Sequence, residues 1–417
     1  MIIENFKLKN FRCFNDIDIE LHPQVNVIVG INGTGKTALL EALRIFVGAI
    51  FCELDKVENK IVTPSILDDD VRLHNLERQY PVKIDGKISF DYEIIAEQSV
   101  TWDRVLERFG GKTKFGNGKS AKILSKQIQQ CIRNGSDSSL PIIAFYSTDR
   151  YKKDKRIAGI EAEGSRLRGY FNSLDSTTNI LFFLNIIKTE TYWEIQNQNK
   201  KQSQILLMLR KVISLCVADC KDMVYDVKRD KLIITLQNGE KVPFSSLSDG
   251  VRNVLSMVIE LALRCYLLNP KLGKDAPAKT HGVVLIDEID LHLHPEWQLH
   301  ILNDLCKVFE RIQFIVSTHA PIVLSSLHVG KILSIADKTV YDFPNQFSHS
   351  VDYILKEMSP DLGNVEIEKT LANYRLLIEK GRGMSDEAKK MRKKLVAVLG
   401  ENHEELQRTD IMLQLFQ

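Results

Sequence analysis

Residues Gly30-Ile31-Asn32-Gly33-Thr34-Gly35-Lys36-Thr37 fit the pattern G-x-x-x-x-G-K-[ST] and constrain the fold more than anything else in the chain. They lie between an apolar run (Val25, Val27, Ile28, Val29) and the segment Ala38 to Val47, which gives a strand, a loop and a helix. The glycines let the backbone curl so that successive N–H groups and the helix N-terminus point at phosphate oxygens. Lys36 then reaches the β- and γ-phosphates, and Thr37 offers its hydroxyl to Mg²⁺. The pattern predicts an α/β chain that binds ATP or GTP.

The chain has 417 residues, room for two or three domain-sized units and a large core. Its cysteines (Cys13, Cys52, Cys131, Cys216, Cys220, Cys265, Cys306) form no C-x-x-C pair, which argues against a zinc ribbon or a secreted disulfide framework and for a reducing compartment. No apolar run is long enough for a membrane span, and the N-terminus enters an amphipathic strand pattern directly, so a cytoplasmic location is expected. The net charge of +2 conceals a basic stretch from Arg104 to Arg168, with Lys152, Lys153, Lys155, Arg156 and Arg166 among its cations. That stretch suits a phosphate backbone, and nucleic acid is one expected partner; a solvated face is the plain alternative.

Val283-Val284-Leu285-Ile286-Asp287-Glu288 reads as a buried strand delivering two carboxylates at its C-terminal end, a Walker B pattern. Asp287 would hold Mg²⁺ through water, and Glu288 would polarise the attacking water as general base. Gln313 to His319 reads as another buried strand, ending in hydroxyls and an imidazole that places His319 at the γ-phosphate. Between the Walker motifs, Phe244 to Arg252 leads into the apolar helix Val254 to Leu268. This stretch, with Ser248 and Gly250 at its centre, resembles the signature motif of ABC-type ATPases, whose helix N-terminus caps a phosphate bound to a second subunit.

Together, Leu8-Lys9-Asn10-Phe11-Arg12-Cys13-Phe14, the Asn32-Gly33 variant of Walker A, Leu247-Ser248-Asp249-Gly250 and Asp287 to Pro295 resemble the RecF, SMC and OLD branch of ABC ATPases. The resemblance implies an α/β ABC-ATPase head, a P-loop mixed sheet with flanking helices, carrying an inserted helical subdomain and a short helical C-terminal tail. It implies an ATP-gated homodimer with composite sites. Asn32, Gly33, Thr34, Gly35, Lys36 and Thr37 would hold the nucleotide, and Thr37 and Asp287 the metal. Glu288 and His319 would be catalytic, while Arg12 would couple nucleotide to the signature helix and Asp290 to Pro295 would lie at the dimer interface. By spacing, His292 and His294 also read as a metal pair, but this stretch is typical of the branch without one. The expected divisions are 1–100 (first lobe), 101–240 (mainly helical basic insertion), 241–345 (second lobe) and 346–417 (helical tail).

Residues 61 to 100 read as strands and turns, with Val82 to Phe90 alternating as in a hairpin, and 120 to 225 as mostly helical. The strand from Leu140 to Arg150 should lead to the Q-loop, yet its glutamine is missing, leaving Ser147, Thr148 or Asp149 to order water. The insertion is too short for SMC arms, and nothing after His319 resembles the nuclease domain of OLD proteins. In the tail, Lys389, Lys390, Arg392, Lys393 and Lys394 form a basic face. Tyr146 to Arg150, Arg168-Gly169-Tyr170-Phe171-Asn172 and the tail resemble the ATPases of Septu (PtuA) and retron anti-phage systems. That implies a regulator of a separately encoded effector, such as an HNH nuclease. A RecF-like repair clamp and a non-hydrolysing nucleotide switch are the alternatives.

Overall fold

The computed structural model describes residues 1–55, 61–90, 99–116, 119–148, 165–175, 180–198, 201–217, 219–351, 353–354, 365–379, 381–399, 406, 408–409 and 412–413. The chain divides into two compact units, 1–349 and 350–417.

In the first unit, β1 (Ile2–Phe11) and β2 (Phe14–Glu20) pair antiparallel, and β3 (Val25–Val29) leads through the glycine loop into α1 (Lys36–Val47). A small hairpin of β4 (Leu73–His74) and β5 (Glu77–Arg78) precedes β6 (Val82–Ser89) and β7 (Ser99–Leu106). Then come α2 (Lys119–Arg133), β8 (Ile142–Tyr146), α3 (Ile180–Gln196) and α4 (Gln204–Cys216). An antiparallel trio, β9 (Cys220–Asp226), β10 (Lys231–Leu236) and β11 (Lys241–Pro243), leads to α5 (Asp249–Leu268). The unit continues with α6 (Ala276–Lys279), β12 (Gly282–Ile286), α7 (Pro295–Gln298) and α8 (Ile301–Val308), then β13 (Ile312–Ser317) and α9 (Pro321–Ser325). It closes with β14 (Lys331–Ala336) and β15 (Thr339–Phe343).

The central sheet has the order β15-β14-β3-β13-β12-β8 and is parallel except for its edge strand β15. β3, β8, β12 and β13 are buried at every residue and mainly apolar, as strands covered on both faces are, with Asn26 and Gln313 the polar residues inside β3 and β13. The second sheet, β2-β1-β6-β7, is antiparallel. Its strands β1, β2 and β6 alternate between buried and more exposed positions, the period-2 pattern of a sheet covered on one face. Phe46 of α1 fills the gap beneath it, with ring centroids 5.6 Å from Phe6 and 5.2 Å from Trp102. Gln313 fastens the two sheets: its side chain accepts from the Ile3 N–H (2.8 Å) and donates to the carbonyls of Ile3 and His22.

The stretch 101–240, expected as a mainly helical insertion, supplies α2, α3 and α4 but also β8, which pairs with β12 inside the central sheet, and strands β9 and β10. The described part of the basic segment lies only partly on the surface. Arg104 is 2% exposed, donates to the Pro64 carbonyl and stacks on Phe115, while Arg166 donates to the carbonyls of Leu268, Ser136 and Ser138. Arg104 and Arg166 thus close loops internally. On α2, Lys119, Lys122 and Lys126 remain exposed, whereas Lys152, Lys153, Lys155 and Arg156 lie outside the described residues.

The start of the chain yields a pH prediction. The Met1 ammonium donates to Nδ1 of buried His281 (2.9 Å), so the imidazole is a neutral acceptor. Burial, reinforced by the adjacent ammonium, pushes the His281 pKa down from 6.5 to about 3. Above pH 6.5 the residue is neutral in both the folded and the unfolded chain. As pH falls below that value, the unfolded chain takes up a proton that the folded one refuses, so stability drops by about 1.4 kcal/mol per pH unit until about pH 3. In urea melts at pH 7, 6 and 5, His281→Gln should lose this component of the slope. Parallel profiles for the two proteins would refute the assignment.

The second unit contains α10 (Val365–Glu379) and α11 (Asp386–Leu399), packed through Tyr374, Ile378, Ala388, Leu395 and Leu406. Ala388 and Leu395 define the inner face of α11; Lys389, Lys390, Lys393 and Lys394 are exposed, and Arg392 is half-buried.

Candidate nucleotide site

The glycine loop turns from the C-terminal end of β3 into α1. Gly35 has φ +115°, and a Cβ there would lie 2.5 Å from Cys13 Sγ and 2.8 Å from the Phe14 ring. Glycine at this position lets the loop close against the β1–β2 turn. No side chain caps α1 and its first turn holds no acid, so its leading N–H groups and positive dipole end suit an anion. Asn32 and Gly33 are exposed at the tip, and Thr34 Oγ1 braces the loop by donating to the Ile31 carbonyl (2.9 Å). Lys36 is 6% exposed, and its Nζ donates to the carbonyls of Gly30 (2.8 Å) and Ile31 (3.0 Å). Burial holds its pKa below the usual lysine range, opposed by the carboxylates of Asp287, Glu288 and Asp290.

Those acids arrive at the C-terminal end of β12, where open α/β sheets place their ligand chemistry. Thr37 Oγ1 donates to Asp287 Oδ2 (2.8 Å), and Ser317 Oγ at the end of β13 donates to Asp287 Oδ1 (2.5 Å). The Asp287 N–H is anchored on the Tyr146 carbonyl of β8 (2.8 Å). A hydroxyl and a carboxylate in direct contact form an all-oxygen donor set that fits Mg²⁺, which takes one or two protein oxygens beside phosphate and water. Glu288 sits in a left-handed turn (φ +47°), with its N–H donating to Ser317 Oγ (2.8 Å). His319 Nε2 is 3.9 Å from Glu288 Oε1, and both side chains are about one-third exposed.

Ser248 is exposed immediately before α5, and its hydroxyl makes no capping hydrogen bond. Gly250 is buried: a Cβ there would lie 2.3 Å from the His292 carbonyl, so the turn after Walker B in the same chain packs on the start of α5. Thr318 Oγ1 donates to Asp290 Oδ1 (2.5 Å), fixing the beginning of that turn. His294 Nδ1 accepts from the Glu296 N–H at the start of α7 (3.4 Å). Arg12, also left-handed (φ +47°), donates from Nε to Asp70 Oδ1 (2.8 Å) and from its backbone N–H to the Asp70 carbonyl (2.7 Å). Its guanidinium lies over the Phe11 ring.

Thus Lys36, Thr37, Asp287, Glu288 and His319 gather at the ends of β3, β12 and β13, while Arg12 is anchored on its own lobe. Sequence reasoning missed Asp70, Ser317 and Thr318 as partners; the hydroxyls ending an apolar strand beside two acids were the available signal. Of the candidates for the missing Q-loop glutamine, Ser147 is buried and Thr148 half-buried after β8, and Asp149 lies outside the described residues.

No helix among the described residues is long and apolar enough to cross a membrane. A family model described as "AAA domain, putative AbiEii toxin, Type IV TA system" matches residues 25–325. The "Retron Vc95 probable ATPase" of Vibrio cholerae serotype O1 biovar El Tor is 23% identical over 94% of this chain and 86% of its own length. The Septu protein PtuA of Bacillus mycoides is 24% identical over 79% of this chain and 40% of its own. An Smc head domain with an extended coiled coil, bound to the C-terminal domain of ScpA and derived from Pyrococcus furiosus, shares the fold at a TM-score of 0.51 and 15% identity, over 86% of this chain and 99% of that one. The chain belongs to the AAA-domain family so described, and its motifs and fold make it an ABC-type ATPase of the RecF, SMC and OLD branch.

Proposed function

We propose that two copies of this chain bind MgATP in composite sites, hydrolyse it, and use the cycle to control a separately encoded effector, a nuclease of HNH type or similar, in anti-phage defence. The observation that carries the hydrolytic part is the contact of Thr37 with Asp287, residues 250 positions apart in sequence, beside Glu288 and His319. Bound MgATP supplies an electrophilic γ-phosphorus and a divalent charge. The chain does the rest: the loop N–H groups and Lys36 grip phosphate, Thr37 and Asp287 hold the metal, Glu288 takes a proton from the attacking water, and His319 donates to the γ-phosphate. In this reading Ser248, Gly250 and the helix they open cap the nucleotide of the partner copy, and Arg12 links nucleotide to that clamp.

Similarity to the retron and Septu proteins supports the defence role. A nucleic-acid state of the infecting phage is the proposed trigger. Expression together with the neighbouring genes should be toxic in a way that Glu288→Gln alters; a harmless set of genes would favour a repair clamp.

Mixing Lys36→Ala chains with Ser248→Arg chains tests the composite site. Each mixed dimer pairs one intact loop with one intact signature, and half of randomly paired dimers are mixed, so ATPase should recover to about a quarter of wild type if the sites act independently. A mixture no more active than its inactive components would exclude sites shared between copies.

A further inference from the structure

We infer that Ser317 is a positioning residue for both Walker B acids, an inference that rests on the hydrolytic reading above. The side chain is fully buried at the end of β13. Its single hydroxyl is used in two directions: the proton goes to Asp287 Oδ1 (2.5 Å), and a lone pair receives the Glu288 N–H (2.8 Å). Asp287 is therefore held at each oxygen, by Ser317 on Oδ1 and by Thr37 on Oδ2, which fixes the plane of the carboxylate. Glu288 has φ +47°, a conformation that L residues other than glycine, asparagine and aspartate rarely adopt, and the Ser317 hydroxyl clasps that turn. The Ser317 carbonyl adds a second clasp by accepting the Ile289 N–H (3.0 Å). One hydroxyl thereby orients the metal-holding acid and aims the general base, while taking no part in gripping the nucleotide, where Lys36 and the glycine loop act.

The test uses Ser317→Thr and Ser317→Val in the full chain, variants of equal volume that differ in the hydroxyl. In nucleotide-free protein, exchange of the Glu288 amide should accelerate about tenfold or more in the Val variant and stay near wild type in the Thr variant. With MgATP, Val should lower kcat by ~10- to 100-fold and raise the Mg²⁺ concentration needed for half activity, leaving ATP affinity within about twofold; Thr should largely rescue both. Equal exchange and equal kcat in the two variants would overturn the inference while leaving the ATPase reading intact. A wild-type protein that hydrolyses no ATP would sink the ATPase reading, and the exchange comparison would still judge the clasp. If the added methyl unfolds both variants, Ser317→Ala against wild type makes the same comparison.

Discussion

Glu288→Gln should keep ATP binding and lose hydrolysis by about two to four orders of magnitude, because the amide has nearly the shape of the carboxylate but accepts no proton from water. The substitution spares the supports of the turn: the Glu288 N–H on Ser317 Oγ and the Ile289 N–H on the Ser317 carbonyl are backbone contacts that glutamine retains. ATP should then persist at the site, and the clamped dimer should accumulate in size-exclusion runs with ATP and Mg²⁺. Lys36→Ala should behave in the opposite way. It removes a buried ammonium beside the loop carbonyls and three acids, so binding itself should fail and no ATP-dependent dimer should form. Nucleotide binding and single-turnover hydrolysis, measured on both variants, check the pair; turnover near wild type in Glu288→Gln would remove the base assignment.

Arg264→Met should be strongly destabilising in the core of α5, at about 3–5 kcal/mol. Arg264 is fully buried; it donates from Nε (2.9 Å) and Nη2 (2.7 Å) to Glu260 Oε1, and from Nη1 to the carbonyls of Gly169 (2.8 Å) and Phe171 (2.9 Å). Methionine fills much of the volume but strips the Glu260 carboxylate of its cation inside the protein and undoes the tie between α5 and the 165–175 segment. Adding Glu260→Gln should restore part of the loss, since a neutral amide is cheaper to bury than an uncompensated charge. Urea denaturation of wild type, the single variant and the double variant measures this. A loss below about 1 kcal/mol in Arg264→Met would mean that the pair does not hold the helix in place.

The glycine loop, the Walker B strand and the strand leading to His319 were legible in the sequence, because each is a local pattern: a glycine spacing, or an apolar run stopping at polar residues. The unbroken burial of β3, β12 and β13 follows from the same runs, since a strand covered on both faces has no polar alternation to display. Apart from Thr37 with Asp287, which the two motifs pair, partnerships between distant segments were not legible. Nothing in the Arg104 to Arg168 stretch distinguishes Arg104, which points inward to the Pro64 carbonyl, from the exposed lysines of α2, because charge patterning records composition and not direction. The same holds for Arg12 on Asp70, for Gly250 against the His292 carbonyl and for Ser317 bridging two acids. Residue type and spacing along the chain determined which groups would stand at the ends of β3, β12 and β13. Only the tertiary structure decided which side chains hold those groups still, since hydrogen bonds closed across tens to hundreds of residues depend on how strands and turns pack and leave no periodic trace in the sequence.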